Sequence, residues 1–269
     1  MMKEAIDFSE ESDALAAILS DADDETLAKV TLFKGWTIED VIGHLHMWNV
    51  AAGLTLESRE KFQEFFASVA NHLMAGKSHP EAQRIWLDET QNGLHGRPLF
   101  EAWRGYYPKL AKAYGAADPD ARVAWAGPDM TTRSKMIARQ METWAHGQEI
   151  FDVLGLVREE NDRIRNICHL GVTTFSWTFK NRGAEVPLPK PYVRLTAPSG
   201  AVWEWNDPQD DNAVIGDAAH FAQIVTQTRN IADTSLETIG DNASRWMEIA
   251  QCFAGAPETP PAKGARHKA

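Results

Sequence analysis

Glu142 and His146 stand four residues apart in the stretch Met141-Glu142-Thr143-Trp144-Ala145-His146-Gly147. On a helix that spacing puts the carboxylate and the imidazole one turn apart on the same face. Earlier in the chain, Gly43-His44-Leu45-His46 offers a further imidazole, again in a segment that reads as an amphipathic helix. Two imidazoles and one carboxylate make a ligand set for a divalent cation, with a position left for water or substrate. Zinc suits this set first; nickel or iron would also be accepted, because ligand type alone does not separate them. A carboxylate buried one turn from a buried imidazole is costly unless something pairs with it, and a cation satisfies both. The plainer reading is a Glu142–His146 hydrogen bond and a core histidine at position 44.

The segments around these residues must form helices for the spacing to matter. Gly35-Trp36 breaks the chain, and Thr37 with Asp40 three residues on makes a variant of the capping box. The helix it opens carries Val41, His44, Leu45 and Trp48 on one inward stripe. His46 lies about 200° round from His44 and cannot share the same metal. Thr131 or Thr132 caps a long helix that runs to about Leu154 and stops at Gly155. Further helical patterns start after the Ser9 cap, run from Glu57 to Ala75, and run from Pro98 to Gly115. The first 155 residues therefore read as an antiparallel bundle of four or more helices.

The pattern changes after about Asn161. One helix is expected near Ile164 to Phe175, and the Pro- and Gly-rich stretch Arg182 to Lys190 is irregular. Tyr192 to Thr196 and Val202 to Trp205 alternate around Pro198-Ser199-Gly200, a β-hairpin, and Asn212 to Ile215 reads as a third strand. Helical patterns return at Ala218 to Thr228 and Ser244 to Phe253. The expected class is α+β, with a helical bundle at 1–157, a small α+β domain at 158–254 and a disordered tail at 255–269.

Composition narrows the function. A net charge of −11 argues against a nucleic-acid groove. No apolar run approaches the length of a membrane span and no signal-peptide pattern opens the chain, so a cytoplasmic location is expected. Cys168 and Cys252 form no C-x-x-C pair, and His169 beside Cys168 reads as structural. Ten tryptophans, among them Trp36, Trp48 and Trp144 beside the candidate ligands, either fill the core or line a substrate cavity. There is no Gly-x-Ser-x-Gly elbow, phosphate loop or dinucleotide fingerprint.

The run Gly-Trp-Thr-x-x-Asp-x-x-x-His-Leu at Gly35 to Leu45, followed by Glu-Thr-Trp-Ala-His-Gly, resembles the DinB-like, mycothiol-dependent maleylpyruvate isomerase superfamily. Within it the chain is similar to a poorly characterised group of metal-binding proteins. The resemblance implies an N-terminal four-helix bundle holding a divalent metal through His44, Glu142 and His146, followed by a small α+β domain. It also implies a low-molecular-weight thiol cofactor such as mycothiol, bacillithiol or glutathione. The reaction expected is an isomerisation or S-transfer on a small organic acid or activated alkene. Arg229, at the end of a second-domain helix, falls near where relatives carry an arginine facing the metal cleft, and is the candidate catalytic residue. An anionic cofactor needs cations, and Arg139 lies three residues before Glu142; it either meets the cofactor or pairs with Glu142. The partners expected are a small-molecule substrate and no nucleic acid or membrane, and a homodimer is compatible with the sequence. A metal-dependent hydrolase or a non-catalytic binder of a hydrophobic small molecule is the alternative.

Overall fold

The computed structural model describes residues 1–266. The chain divides into two compact units, Met1–Val153 and the remainder from Leu154. The first unit contains α1 (Lys3–Ile18), α2 (Asp24–Leu27), α3 (Ile38–Glu57), α4 (Arg59–Met74), α5 (His79–Thr90) and α6 (Gly96–Ala116). The two-residue strands β1 (Arg122–Val123) and β2 (Met130–Thr131) then pair antiparallel and lead into α7 (Thr132–Leu154). α3 lies at the centre, packed on α4, α5 and α6, and α1 packs on α6.

Local chemistry sets these boundaries. The Thr37 hydroxyl accepts the Asp40 backbone N–H at 3.0 Å, and the Asp40 carboxylate accepts the Thr37 N–H at 2.9 Å. That reciprocal pair closes the first turn of α3. Ser58 caps α4, and Ser78 with Glu81 forms a second capping box that opens α5, with Pro80 in its first turn. Thr131 is the cap of α7: its hydroxyl accepts the Ser134 N–H at 3.1 Å. Gly155, at φ +68°, ends that helix in the left-handed conformation that glycine adopts without strain. α5 was not anticipated; its buried stripe is only Ala82, Gln83, Trp86 and Leu87, and one of these is polar. α6 begins at Gly96, ahead of Pro98, and continues through Pro108.

The second unit holds α8 (Arg165–Thr173), α9 (Phe175–Lys180), β3 (Tyr192–Thr196), β4 (Val202–Trp205), β5 (Ala213–Asp217), α10 (Ala218–Val225), β6 (Glu237–Ile239) and α11 (Asp241–Ile249). The sheet order is β4-β3-β5-β6. β3 and β4 are the expected hairpin, with Val193 opposite Trp205 and Thr196 opposite Val202. β5 runs parallel to β3 and antiparallel to β6. The fold class is therefore α+β. Val193, Leu195, Val214, Phe221, Phe175 and Trp246 form the core of this unit. A single helix expected at Ile164–Phe175 is interrupted at Thr174 and continues as α9. β6 was not anticipated; three residues are too few for an alternation to register.

The tail also differs from expectation. As far as Arg266 it is tied to the second unit by side chains that reach its backbone. Gln227 Nε2 donates to Glu258 O at 3.2 Å, Asn230 Nδ2 to Pro261 O at 2.8 Å, and Gly264 N–H to Asp233 Oδ2 at 2.8 Å. Residues 267–269 of the expected disordered segment lie outside the described residues. No helix among the described residues is long and apolar enough to cross a membrane.

Candidate metal centre

α3 and α7 bring His44, Glu142 and His146 to one point, with their ligand atoms all within 4.8 Å of one another. The capping box at Thr37 starts α3 two turns before His44, which fixes the helical phase of that imidazole. On α7 the i, i+4 spacing stacks His146 over Glu142 as the sequence requires. His44 Nε2 lies 3.2 Å from Glu142 Oε2, and His146 Nε2 lies 3.4 Å from the same oxygen. The His44 and His146 rings stand 4.6 Å apart between centroids. Side-chain exposure is 8% at His44, 24% at Glu142 and 12% at His146, so the carboxylate marks the open side. Among the described residues this is the one His/Cys/Asp/Glu group with metal-ligand spacing.

The electrostatics suit a cation. Burial drives the His44 imidazole from 6.5 down to about 3, with His146 adding to the effect. His44 is therefore neutral at neutral pH. Burial alone would raise the Glu142 carboxyl, but hydrogen bonds from His146 and His44 outweigh it and hold the carboxyl well below its usual range. The half-buried Glu142 carboxylate thus presents one oxygen to both imidazoles, and burial keeps the one from His44 neutral. A divalent metal at this point would need the carboxylate ionised and the imidazoles neutral. The His44 Nδ1 is buried without a hydrogen-bond partner among the described residues.

Aromatic rings flank the two candidate imidazole ligands. Trp36 stacks flat on His146, 5.6 Å between centroids with a 6° interplanar angle, and Phe33 meets the same ring edge-on at 5.1 Å. His79, in the first turn of α5, stands edge-on to His44 at 5.2 Å. Sequence reasoning missed His79. The signal was present in Ser78-His79-Pro80-Glu81, a capping box with its proline.

Arg139 is 2% exposed. Its Nε donates to Asn49 Oδ1 at 3.0 Å and its Nη2 to Leu45 O at 3.5 Å. The guanidinium is thus turned into the α3–α7 seam, not toward an open position where a cofactor would meet it. His46, on the other side of α3, is buried against Trp86 and Tyr106, 6.0 and 5.8 Å away. Arg229, just beyond the end of α10, is 7% exposed and its Nη1 donates to Thr228 O at 2.8 Å. His169 accepts the Trp205 indole N–H at 3.2 Å, and burial pushes the Cys168 thiol up, so both serve the second unit's packing.

The sequence profile of the mycothiol maleylpyruvate isomerase N-terminal domain matches residues 8–151, which include all three candidate ligands. The chain belongs to this family. Two uncharacterized proteins of Mycobacterium tuberculosis, from strains CDC 1551 / Oshkosh and ATCC 25618 / H37Rv, are similar to it. Each is 34% identical over 254 residues, which is 93% of this chain and 95% of theirs. The crystal structure of the mycothiol-dependent maleylpyruvate isomerase superimposes with a TM-score of 0.50 at 18% identity, covering 82% of this chain and 87% of that one. That likeness shows that the fold extends beyond the bundle matched by the family profile.

Proposed function

We propose that this member of the maleylpyruvate isomerase family is a divalent-metal protein that uses a low-molecular-weight thiol. Its reaction would be an isomerisation or S-transfer on a small organic acid or activated alkene. The observation that carries the reading is the convergence of His44 Nε2 and His146 Nε2 on one oxygen of Glu142. The family to which the chain belongs supports the thiol, since a relative of the same fold is a mycothiol-dependent maleylpyruvate isomerase. His44, Glu142 and His146 would hold the metal, with zinc the first choice for this donor set. When bound, such a cation acts as a Lewis acid and lowers the pKa of a thiol at its open position.

The chain's own residues set up that position. Trp36 and Phe33 fix the His146 ring from its face and its edge, and exclude water from that flank. Arg139 bridges Asn49 and the Leu45 carbonyl, which locks α7 against α3 and so positions Glu142 against His44. Its effect on a cofactor would be indirect. Arg229 is the proposed catalytic residue. Its burial and its place beyond a helix end suit an arginine held in one conformation.

The test is metal and thiol binding by the purified full-length protein. Elemental analysis should find about one equivalent of zinc, lost in His44→Ala and in the Glu142→Ala, His146→Ala double variant. Titration calorimetry with mycothiol should then show binding by the zinc-loaded protein only. Zinc retained by the triple variant refutes the ligands. Zinc binding without any thiol binding refutes the thiol chemistry and leaves a metal protein of another kind. Arg229→Gln should leave both bindings intact and abolish turnover.

A further inference from the structure

The face of α7 that carries the candidate metal ligands continues toward the helix start with a buried guanidinium and then a buried amine. Lys135 and Arg139 precede Glu142 by seven and three residues, so with His146 they form one stripe along the helix. Lys135 is fully buried. Its polar contact is a long one, Nζ to Ala124 O at 3.4 Å, and the ring face of Trp125 covers the amine with its centroid 3.1 Å away. No carboxylate forms an ion pair with it among the described residues. Trp125 lies in the loop between β1 and β2 and packs on Trp48 of α3, 5.4 Å between centroids. Trp48 borders His79 at 6.1 Å and His44 at 6.4 Å. One aromatic wall therefore runs from the ligand triad to Lys135.

That wall has donors without acceptors. Among the described residues the Trp48 indole N–H is buried with no partner, and so is the amide nitrogen of the neighbouring Asn49. Buried polar groups are ordinarily paired, and a group that accepts without donating would satisfy such a surplus. An ionised carboxylate is acceptor-only. The π face of Trp125 is the negative side of an aromatic quadrupole, and it occupies the place where a counter-ion to Lys135 would sit.

We propose that Lys135 and Trp48 form a carboxylate-binding subsite beside the His44–Glu142–His146 triad, taking one acid group of a small organic anion whose other end lies at the triad. The Trp125 ring fills the place until the ligand displaces it. The triad end of this inference rests on the metal reading above; the Lys135 end rests on its own donors. Seven residues of helix separate the levels of Lys135 and Glu142 by about 10 Å along the axis. The subsite therefore selects ligands by length. Burial lowers the Lys135 amine to about 6, and a carboxylate beside it favours return of the proton.

The experiment is titration calorimetry of the full-length protein, zinc-loaded and metal-free, with succinate, adipate and suberate. Wild-type zinc-loaded protein should bind one chain length best. Lys135→Met should bind that length at least tenfold more weakly and lose the length preference. Trp48→Phe, which keeps a ring and removes the N–H, should bind it several-fold more weakly. Metal-free wild type should keep a Lys135-dependent affinity with no preferred length. If that affinity persists in protein that fails to retain zinc, the metal reading falls and the subsite stands. Equal binding by wild type and Lys135→Met, with both folded by near-ultraviolet circular dichroism, overturns the subsite. Absence of binding of all three acids to wild type overturns it as well.

Discussion

Lys135→Met is expected to stabilise the protein and to remove part of its pH dependence. The Lys135 amine is fully buried, and burial lowers it from 10.5 to about 6. In the unfolded chain a lysine keeps its proton to about pH 10.4. Between those values the unfolded state holds a proton that the folded state has released. Stability rises with pH wherever the unfolded state binds more protons. The penalty is therefore full below about pH 6 and fades as pH rises toward about 10.4. One pKa unit corresponds to about 1.4 kcal/mol, so the slope across the window approaches about 1.4 kcal/mol per pH unit. From pH 7 to pH 9 the wild type should gain about 2–3 kcal/mol that the methionine variant does not.

Methionine is near the lysine stem in volume, so the substitution leaves no large cavity. The assay is urea denaturation of the metal-free protein at pH 7, 8 and 9, followed by circular dichroism. Removing metal takes its own proton linkage out of the comparison. Other titrating groups occur in both proteins and cancel in the difference, provided the urea dependence is unchanged. Parallel pH dependence would refute the reasoning. It would mean that the amine keeps its proton in the folded state, with the Trp125 face compensating for the lost solvent.

Three further outcomes follow from the packing around the ligands. Gly43→Ala should destabilise by about 1–3 kcal/mol in denaturant titration, against the preference of helices for alanine. A Cβ there would meet Gln83 Nε2 at 2.2 Å, and that amide is held by the Asp40 carbonyl at 3.1 Å. Thr37→Ala should cost about 1 kcal/mol by removing the α3 cap, and amide hydrogen exchange should show the first turn of α3 opening. In metal-free protein, burial takes His44 from 6.5 to about 3, so the unfolded chain takes up the proton first as pH falls. Stability should therefore drop between pH 6.5 and pH 4 more steeply in wild type than in His44→Leu, and equal slopes would count against a neutral His44.

The grouping of His44, Glu142 and His146 was legible because each member belongs to a helical pattern. Thr37 and Asp40 announce the start of α3, which sets the phase of His44 and turns His46 to the opposite side. Glu142 and His146 need only the period of α7. Other features of the pocket carry no such period. Trp36 follows Gly35 in a turn, and nothing in that turn foretells a flat stack on His146. His79 comes from α5, whose stripe is too short and too polar to register as a helix. The tail reads as structureless by composition, yet Gln227 and Asn230 hold its carbonyls through single side-chain contacts that no sequence pattern encodes. Arg139 was legible as a neighbour of Glu142, but its direction depends on Asn49 across the seam.

That direction matters for how the stripe works as a unit. Lys135, Arg139, Glu142 and His146 occupy the inward face of α7, where a helical bundle ordinarily places apolar side chains. Each is tolerated by a different means: an aromatic face for Lys135, Asn49 and a backbone carbonyl for Arg139, paired imidazole and carboxylate for the rest. Arg139 sits between the two ends with Nε on Asn49 and Nη2 on the Leu45 carbonyl, while about 10 Å of helix rise keeps Lys135 from pairing with Glu142. Direct pairing of Lys135 with Glu142 would leave no charge for a ligand at one end and none for a metal at the other. Because the helix rise keeps them apart, the stripe on the proposed reading holds a cation-seeking end and an anion-seeking end on one helix. On that proposed reading, a small acid whose carboxylate is remote from its reactive carbon fits the polarity, and a neutral alkene of the same length does not.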